Sequence, residues 1–233
     1  MKNLLVASTS TLYGGTYLSY LMEEISIHFK DTNEIVFIPY ARPGGISHDQ
    51  YTAIAAEAFS KIGKKIIGLH SFKNPEAAVK SAKGVFVGGG NTFVLVKQLY
   101  TFRLMKTLRE KILKGLPYLG TSAGSNICGV SIRNTNDMPV VYPPSFKALE
   151  TIAFNINAHY LDPVKGSTHM GETRETRIQE FHVYNNTPVL GLREGSWLEV
   201  MDQKIILKGA LQARLFQKNQ LPLELASGSE IGL

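Results

Sequence analysis

The chain opens on an unbroken apolar run, Leu4-Leu5-Val6-Ala7, too short for a helix and bare of polar positions, which predicts a strand buried on both faces. The next apolar positions, Leu18, Leu21, Met22, Ile25 and Phe29, recur at helical spacing, and Ile35 to Ile38 forms a second apolar run ended by Pro39. The pattern then repeats. Tyr51, Ile54, Ala55, Ala58, Phe59 and Ile62 make one helical face with Gly63 as its cap, and Ile66 to Leu69 reads as a strand. Asn74-Pro75 supplies a cap and a first-turn proline for another helix, and Val85 to Val87 the next strand. Gly88-Gly89-Gly90 leads into a helix reaching about Tyr100, and Arg103 to Lys114 carries an amphipathic face. Tyr118-Leu119 then runs straight into Gly120-Thr121-Ser122-Ala123-Gly124, followed by a helix that carries Cys128 about two turns in.

Doubly buried strands joined by helices predict an α/β fold: a doubly wound, mostly parallel sheet with helices on both faces, and a nucleophile elbow at a strand C-terminal end. In such sheets ligands sit at the carboxyl ends of the strands, where both glycine turns fall. Beyond the elbow the texture changes. Residues 131–148 read as a long functional loop, and Ile152, Phe154 and Ile156 alternate as a strand that ends at His159. Residues 161–172 read as a second loop, and Thr173 caps a helix through about Tyr184. Short β-runs follow at Val189 to Leu192, Trp197 to Met201 and Ile205 to Leu207, with Asp202-Gln203 as a hairpin turn, giving a small β extension near the C-terminus. With no repeat, low-complexity stretch or linker, one domain over 1–233 is expected.

Composition narrows the class. Of the 233 residues 44% are hydrophobic and 19% charged, too apolar for disorder, and no stretch reaches the roughly 18 to 20 apolar residues of a membrane span. The N-terminal run reads as a strand and not a leader, and the single cysteine excludes an internal disulfide, so a cytoplasmic location is expected. The net charge of +6 is spread along the chain without a recognition motif. That argues for a solvated basic surface or an acidic small substrate, with neither nucleic acid nor membrane as partner. No His-x-x-x-His pair or Cys/His cluster occurs, so no metal is expected.

The candidate chemistry centres on Ser122. A sharp strand-to-helix turn throws its side chain outward and needs small neighbours. It also sets the hydroxyl near a helix N-terminus, which favours oxyanion character, and aims the Ala123 amide where an oxyanion donor belongs. Serine needs a base. Of six histidines, His28 and His182 fall late in helices, and His48 and His70 in connections before the turn. His159, at a strand end, is the first candidate and His169, in the second loop, the next. The orienting carboxylate has candidates in Asp137, Asp162, Glu172 and Glu194. Glu194 falls at a strand end beside Gly195, and Asp137 in the long loop. The Gly88–Gly90 turn can supply a second oxyanion amide from Gly89 or Gly90, and it lacks the Lys-Ser/Thr of a phosphate loop. Cys128 reads as core.

Several ordered motifs together resemble the peptidase E family, the α-aspartyl dipeptidases: Gly88-Gly89-Gly90-Asn91-Thr92-Phe93, Gly120-Thr121-Ser122-Ala123-Gly124-Ser125-Asn126, Thr135-Asn136-Asp137-Met138-Pro139, Ile156-Asn157-Ala158-His159-Tyr160, Gly171-Glu172-Thr173-Arg174 and Gly191-Leu192-Arg193-Glu194-Gly195. The resemblance implies a fold similar to class I glutamine amidotransferases and a serine peptidase acting on dipeptides with an N-terminal aspartate, without metal or organic cofactor. It implies Ser122 as nucleophile, His159 as base and Glu194 as orienting acid, with Asp137 the other candidate for that role. Relatives often carry proline where this chain has Ala158 and Arg193. Arg174 is the expected ligand for the substrate's side-chain carboxylate, since its planar fork pairs bidentately, with Arg177 and then Arg193 behind it. The expected partner is a small acidic dipeptide, and the expected state a monomer or weak homo-oligomer. Two other readings stand beside this one: a cyanophycinase-like cleaver of β-aspartyl linkages, and a non-catalytic ligand-binding protein that keeps the amidotransferase-like fold.

Overall fold

The computed structural model describes residues 1–164, 166, 168 and 170–232. His169, the second candidate base, lies outside the described residues. The elements in chain order are β1 (Asn3–Ala7), α1 (Met22–His28), β2 (Glu34–Ile38), α2 (His48–Ser60), β3 (Lys65–Gly68), α3 (Pro75–Ser81), β4 (Val85–Val87), α4 (Thr92–Thr101), α5 (Leu104–Leu113), β5 (Tyr118–Thr121), α6 (Ala123–Asn126), β6 (Asn155–Ala158), α7 (Arg174–Tyr184), β7 (Val189–Leu192), β8 (Ser196–Met201), β9 (Lys204–Gly209), β10 (Ala213–Phe216) and β11 (Leu223–Leu225).

Strands β3-β2-β4-β5-β1-β8-β9 form one seven-stranded sheet. Its first five strands run parallel, β8 adds antiparallel to β1, and β9 adds antiparallel to β8. Alternation along each parallel strand sends side chains to two separate cores. Leu5, Ala7, Ile35, Phe37, Phe86 and Leu119 pack under α1 and α2 against Ile25, Phe29, Tyr51 and Phe59. Leu4, Val6, Val36, Ile38, Val85, Val87 and Tyr118 pack on the other side with Val79, Leu95, Leu99, Leu108 and Ile112 of α3, α4 and α5. Helices thus cover both faces, which is why these strands read as continuous apolar runs.

The helix starts follow local chemistry. Ser47 and Gln50 form a reciprocal capping box on α2, Asn74 caps α3 ahead of Pro75, and Asn91 caps α4. Thr173 caps α7 through the Thr176 amide, matching the sequence expectation there.

The small β extension expected near the C-terminus divides: the runs Trp197 to Met201 and Ile205 to Leu207 are β8 and β9 of the main sheet, and only Val189 to Leu192 joins a second sheet, β11-β10-β7-β6, with β6 and β7 parallel and the remaining pairs antiparallel. Two further expectations are corrected. The alternation at Ile152, Phe154 and Ile156 is only in its last part a strand. Ile152 and Phe154 fill the core from a bend whose Ile152 amide bonds the Cys128 carbonyl, and the ladder begins at Asn155. The helix after Ser122 is a single turn that ends before Cys128, because the chain folds back to pair Leu149, Glu150 and Thr151 amides with carbonyls of residues 127–129. Strands β10 and β11 carried no sequence expectation, since each has only three or four residues and exposed polar positions between the apolar ones.

The Ser122 turn packs against the backbone of β4. A Cβ on Gly124 would collide with the Val87 carbonyl, whereas one on Gly44 would meet nothing within 4 Å. Gly124→Ala should therefore destabilise the protein by about 2 to 4 kcal/mol, lowering Tm by roughly 5 to 15 °C for a chain of this length. Gly44→Ala should stay within about 0.5 kcal/mol of the parent. Calorimetry on the two variants checks this; equal melting temperatures would contradict the packing argument.

Candidate active site

Ser122 sits where β5 leaves the sheet, with φ 53° and ψ −109°, a sparsely populated conformation for a residue with a side chain. The surroundings enforce it. The Ser122 amide donates to the Ala7 carbonyl at 3.1 Å, and Ser125 Oγ lies 2.6 Å from the same oxygen and 2.9 Å from the Gly120 carbonyl. Glycine is obligatory on both sides of the turn, since a Cβ on Gly120 would stand 2.6 Å from the Gly124 carbonyl. The Tyr118 hydroxyl donates to that Gly124 carbonyl at 2.6 Å from beneath. Because α6 is one turn long, little of a helix dipole reaches the hydroxyl, and the amides and the strain of the turn matter more.

His159 follows β6 with φ 54° and presents Nε2 2.9 Å from Ser122 Oγ, while Nδ1 lies 2.6 Å from Glu194 Oε1. Glu194 follows β7, the parallel neighbour of β6, so the two side chains leave adjacent strand ends. With its proton held on Nδ1 by the carboxylate, the imidazole keeps Nε2 free to accept from the serine hydroxyl. The His159 and Glu194 side chains are 38% and 43% exposed, open enough for a ligand to reach and for water to screen their charge.

Two buried side chains that the sequence did not single out join these parts. Ser8, at the end of β1, accepts from the His159 amide at 2.9 Å and donates to the Leu192 carbonyl at 2.6 Å. One hydroxyl thereby fixes His159 and the strand that leads to Glu194. Asn126 accepts from the Ala158 amide at 3.2 Å and donates to Thr92 Oγ1 at 3.0 Å, tying the turn after Ser122 to β6 and α4. The signal available for Ser8 was its place directly after a doubly buried strand.

The other expected residues divide. Asp137 does not meet His159; its Oδ2 accepts from the Thr92 amide at 2.7 Å and from Thr135 Oγ1 at 3.1 Å, so it caps α4. Asp162 is held by Arg193, whose guanidinium also grips Glu224, at 2.7 to 3.0 Å throughout. These bonds, first that from Asp162, raise the Arg193 pKa, and they leave it only 14% exposed and committed, not open to a substrate. Arg174 opens α7 and lines a cleft of about 560 Å³ with Leu161, Val164, Thr173 and Arg177. Among the described residues no carboxylate lies within ion-pair distance of it. Burial, then the neighbouring Arg177, lowers its pKa, and Asp137 opposes them. A Cβ on Gly89 would stand 3.1 Å from Ser122 Cβ, which sets that backbone beside the serine. Among the described residues nothing accepts from the amides of Gly89 or Gly90, and Ala123, first in α6, has no acceptor within its helix. Cys128 is buried, and burial pushes its thiol up to about 12. Among the described residues no three His, Cys, Asp or Glu side chains are arranged to hold a metal ion.

Comparison with known proteins bears on this arrangement. The sequence profile of Peptidase family S51 matches residues 4–208. A Drosophila melanogaster protein named "Probable alpha-aspartyl dipeptidase" is 47% identical over 228 residues, 97% of this chain and 94% of its own length. Peptidase E of Streptomyces coelicolor is 46% identical over 229 residues, 98% of this chain and 93% of its own. The crystal structure of a peptidase from an acI-B1 Actinobacterium superposes with a TM-score of 0.75 at 16% identity, over 100% of this chain and 97% of the other, which shows a shared fold.

Since Glu194, and not Asp137, bonds the His159 imidazole, Glu194→Gln should lower kcat by more than about tenfold with little loss of stability, through loss of the orienting charge. Asp137→Asn should cost less activity and lower the melting temperature, as a helix cap is weakened. Parallel kinetics and thermal denaturation separate the two, and the opposite ranking in kcat would make Asp137 the orienting group.

Proposed function

The chain belongs to peptidase family S51, and on that premise we propose that it hydrolyses dipeptides with an N-terminal aspartate through an acyl-enzyme on Ser122. The observation that carries the reading is the continuous chain Ser122 Oγ–His159 Nε2, His159 Nδ1–Glu194 Oε1 at 2.9 and 2.6 Å. His159 takes the hydroxyl proton as Oγ attacks the carbonyl carbon of the aspartyl residue. The charge that develops on the carbonyl oxygen is held by the Ala123 amide and by that of Gly89 or Gly90. The tetrahedral species collapses as the imidazolium returns its proton to the departing amine, leaving aspartyl-Ser122. Water, deprotonated by the same imidazole, then releases aspartate and restores the serine.

Arg174 is the group assigned to the substrate's side-chain carboxylate. A guanidinium that is partly desolvated and has no carboxylate at ion-pair distance gains from an incoming anion, and its planar fork matches two oxygens. The names of the curated relatives, dipeptidase among them, support a substrate this small. No described helix is long and apolar enough to cross a membrane, and the unpaired cysteine suits the cytoplasmic location proposed.

A panel of Asp-X, Asn-X and β-Asp-Arg dipeptides with mass-spectrometric readout tests the proposal. Asp-X should be cleaved fastest, whereas preferential β-Asp-Arg cleavage would favour the cyanophycinase-like alternative and no cleavage the ligand-binding one. Ser122→Ala should lower kcat by about 10³ to 10⁶, while Cys128→Ala keeps nearly all activity; unchanged turnover in pure Ser122→Ala would move the nucleophile elsewhere.

For Arg174, removing one partner of a desolvated pair costs about 2 to 5 kcal/mol, or roughly 30- to several-thousand-fold in kcat/KM. Arg174→Met should lose Asp-X cleavage by such a factor and narrow the gap to Asn-X, with Arg174→Lys recovering only part. A variant that keeps the parental Asp-X over Asn-X margin would remove Arg174 from the pocket and bring Arg177 forward.

A further inference from the structure

Glycine meets one requirement at positions 89 and 90 and creates another. Gly89 is needed because a Cβ there would press on Ser122 Cβ at 3.1 Å, and Gly90 because its φ is +142° and a Cβ would collide with the Ala41 carbonyl. Without a Cβ on either side, the peptide between them has almost no steric preference for which face carries the N–H and which the carbonyl. An oxyanion donor needs that preference.

The flanks are anchored by backbone. The Gly88 amide donates to the Ile38 carbonyl at 3.2 Å and the Asn91 amide to the Ala41 carbonyl at 2.7 Å. The Gly88–Gly89 and Gly89–Gly90 peptides lie between these anchors, and a side chain reaches the second of them: the Tyr51 hydroxyl donates to the Gly89 carbonyl at 3.2 Å. The peptide is trans, so the Gly90 N–H points opposite to that carbonyl, away from Tyr51. Tyr51 is itself well fixed. It is 1% exposed, its ring meets Phe37 edge-on at 5.0 Å, and the Arg42 guanidinium stands 5.1 Å over its face. The Tyr17 hydroxyl lies 3.5 Å from that of Tyr51, too long for a strong bond.

We propose that Tyr51 is the positioning residue of the oxyanion site: by holding the Gly89 carbonyl it turns the Gly90 N–H toward the reacting carbonyl oxygen, making Gly90, not Gly89, the partner of Ala123. The inference rests on Ser122 as nucleophile and deepens that reading.

Tyr51→Phe removes the donor and keeps the ring. With an Asp-X dipeptide its kcat should fall by at least about tenfold, toward the 10² to 10³ of a lost oxyanion donor, with KM changed less than about twofold. Binding of an aldehyde analogue of aspartate, which adds to Ser122 and places a charged oxygen in the site, should weaken by the same factor. Affinity for aspartate itself, which makes no such oxygen, should hold. Tyr17→Phe should behave as the parent. Tyr51→Phe with parental kcat overturns the inference, as does a variant that loses aspartate and aldehyde affinity together, the mark of general damage. A measurement on the unmutated protein stands independently of how any variant folds: on aldehyde binding the Gly90 amide proton should move downfield in the NMR spectrum more than that of Gly89, and the reverse order refutes the assignment. An active Ser122→Ala would sink the nucleophile reading itself, whereas inactive Ser122→Ala beside a fully active Tyr51→Phe sinks only the role of Tyr51.

Discussion

The structure depends on the close approach of two glycine turns at the carboxyl ends of β4 and β5. Gly124 lies against the Val87 carbonyl with no room for a methyl group, and Gly89 lies against Ser122, where a methyl group would be crowded. That approach forces Ser122 into its positive-φ turn and exposes its hydroxyl. It also brings backbone amides from a second loop to the same spot. Other parts of the site serve to support this contact: the Ala7 carbonyl holds the turn from one side, and the Tyr118 hydroxyl from beneath.

A second constraint is that the side chains of the candidate site come from different sheets. Ser122 belongs to the seven-stranded sheet, and His159 and Glu194 to the ends of two parallel strands in the smaller one. Hydrogen bonds from Ser8 and Asn126 cross the seam and fix the separation to within the reach of a single bond. Away from the seam, Arg193 clamps Asp162, three residues past the histidine, to Glu224 on β11. The arginine beside Glu194 thus works as a brace for the loops around the site. The arrangement of Ser122, His159 and Glu194 is in this sense carried by a joint, and its precision comes from buried hydroxyls and amides with satisfied partners.

The parallel strands, their helices and the Ser122 turn were legible in the sequence because each is dictated locally, by unbroken apolar runs, helical spacing and glycines at turns. The meeting of Ser122, His159 and Glu194 was legible only as strand-end placement plus resemblance, since no local rule says which strand ends become neighbours. The rest was hidden for physical reasons. Tyr51 presents itself as one more core position on the face of α2, and nothing in its spacing reveals that its hydroxyl ends on a glycine carbonyl. Ile152 and Phe154 imitate a strand because a bend that fills a core needs the same apolar residues as a ladder. Asp137 and Glu194 are both carboxylates in loops, and only the folded chain shows one bonding an imidazole and the other a helix start.

The central position of β1 has a consequence for how the site comes into being. Its residues pair on one side with β5 and on the other with β8, so that Ala7 lies opposite Trp197. Ser8, which positions His159 and the strand leading to Glu194, follows directly. Contacts between such distant parts of a chain carry a large closure entropy and slow the folding of proteins rich in them. A nascent chain that has emerged only as far as the serine and histidine lacks both the carboxylate and the antiparallel strand that closes β1. The hydrogen-bonded set of Ser122, His159 and Glu194 is therefore complete only with the last third of the polypeptide, as a property of the completed topology, and during synthesis the half-made protein holds Ser122 without its partners.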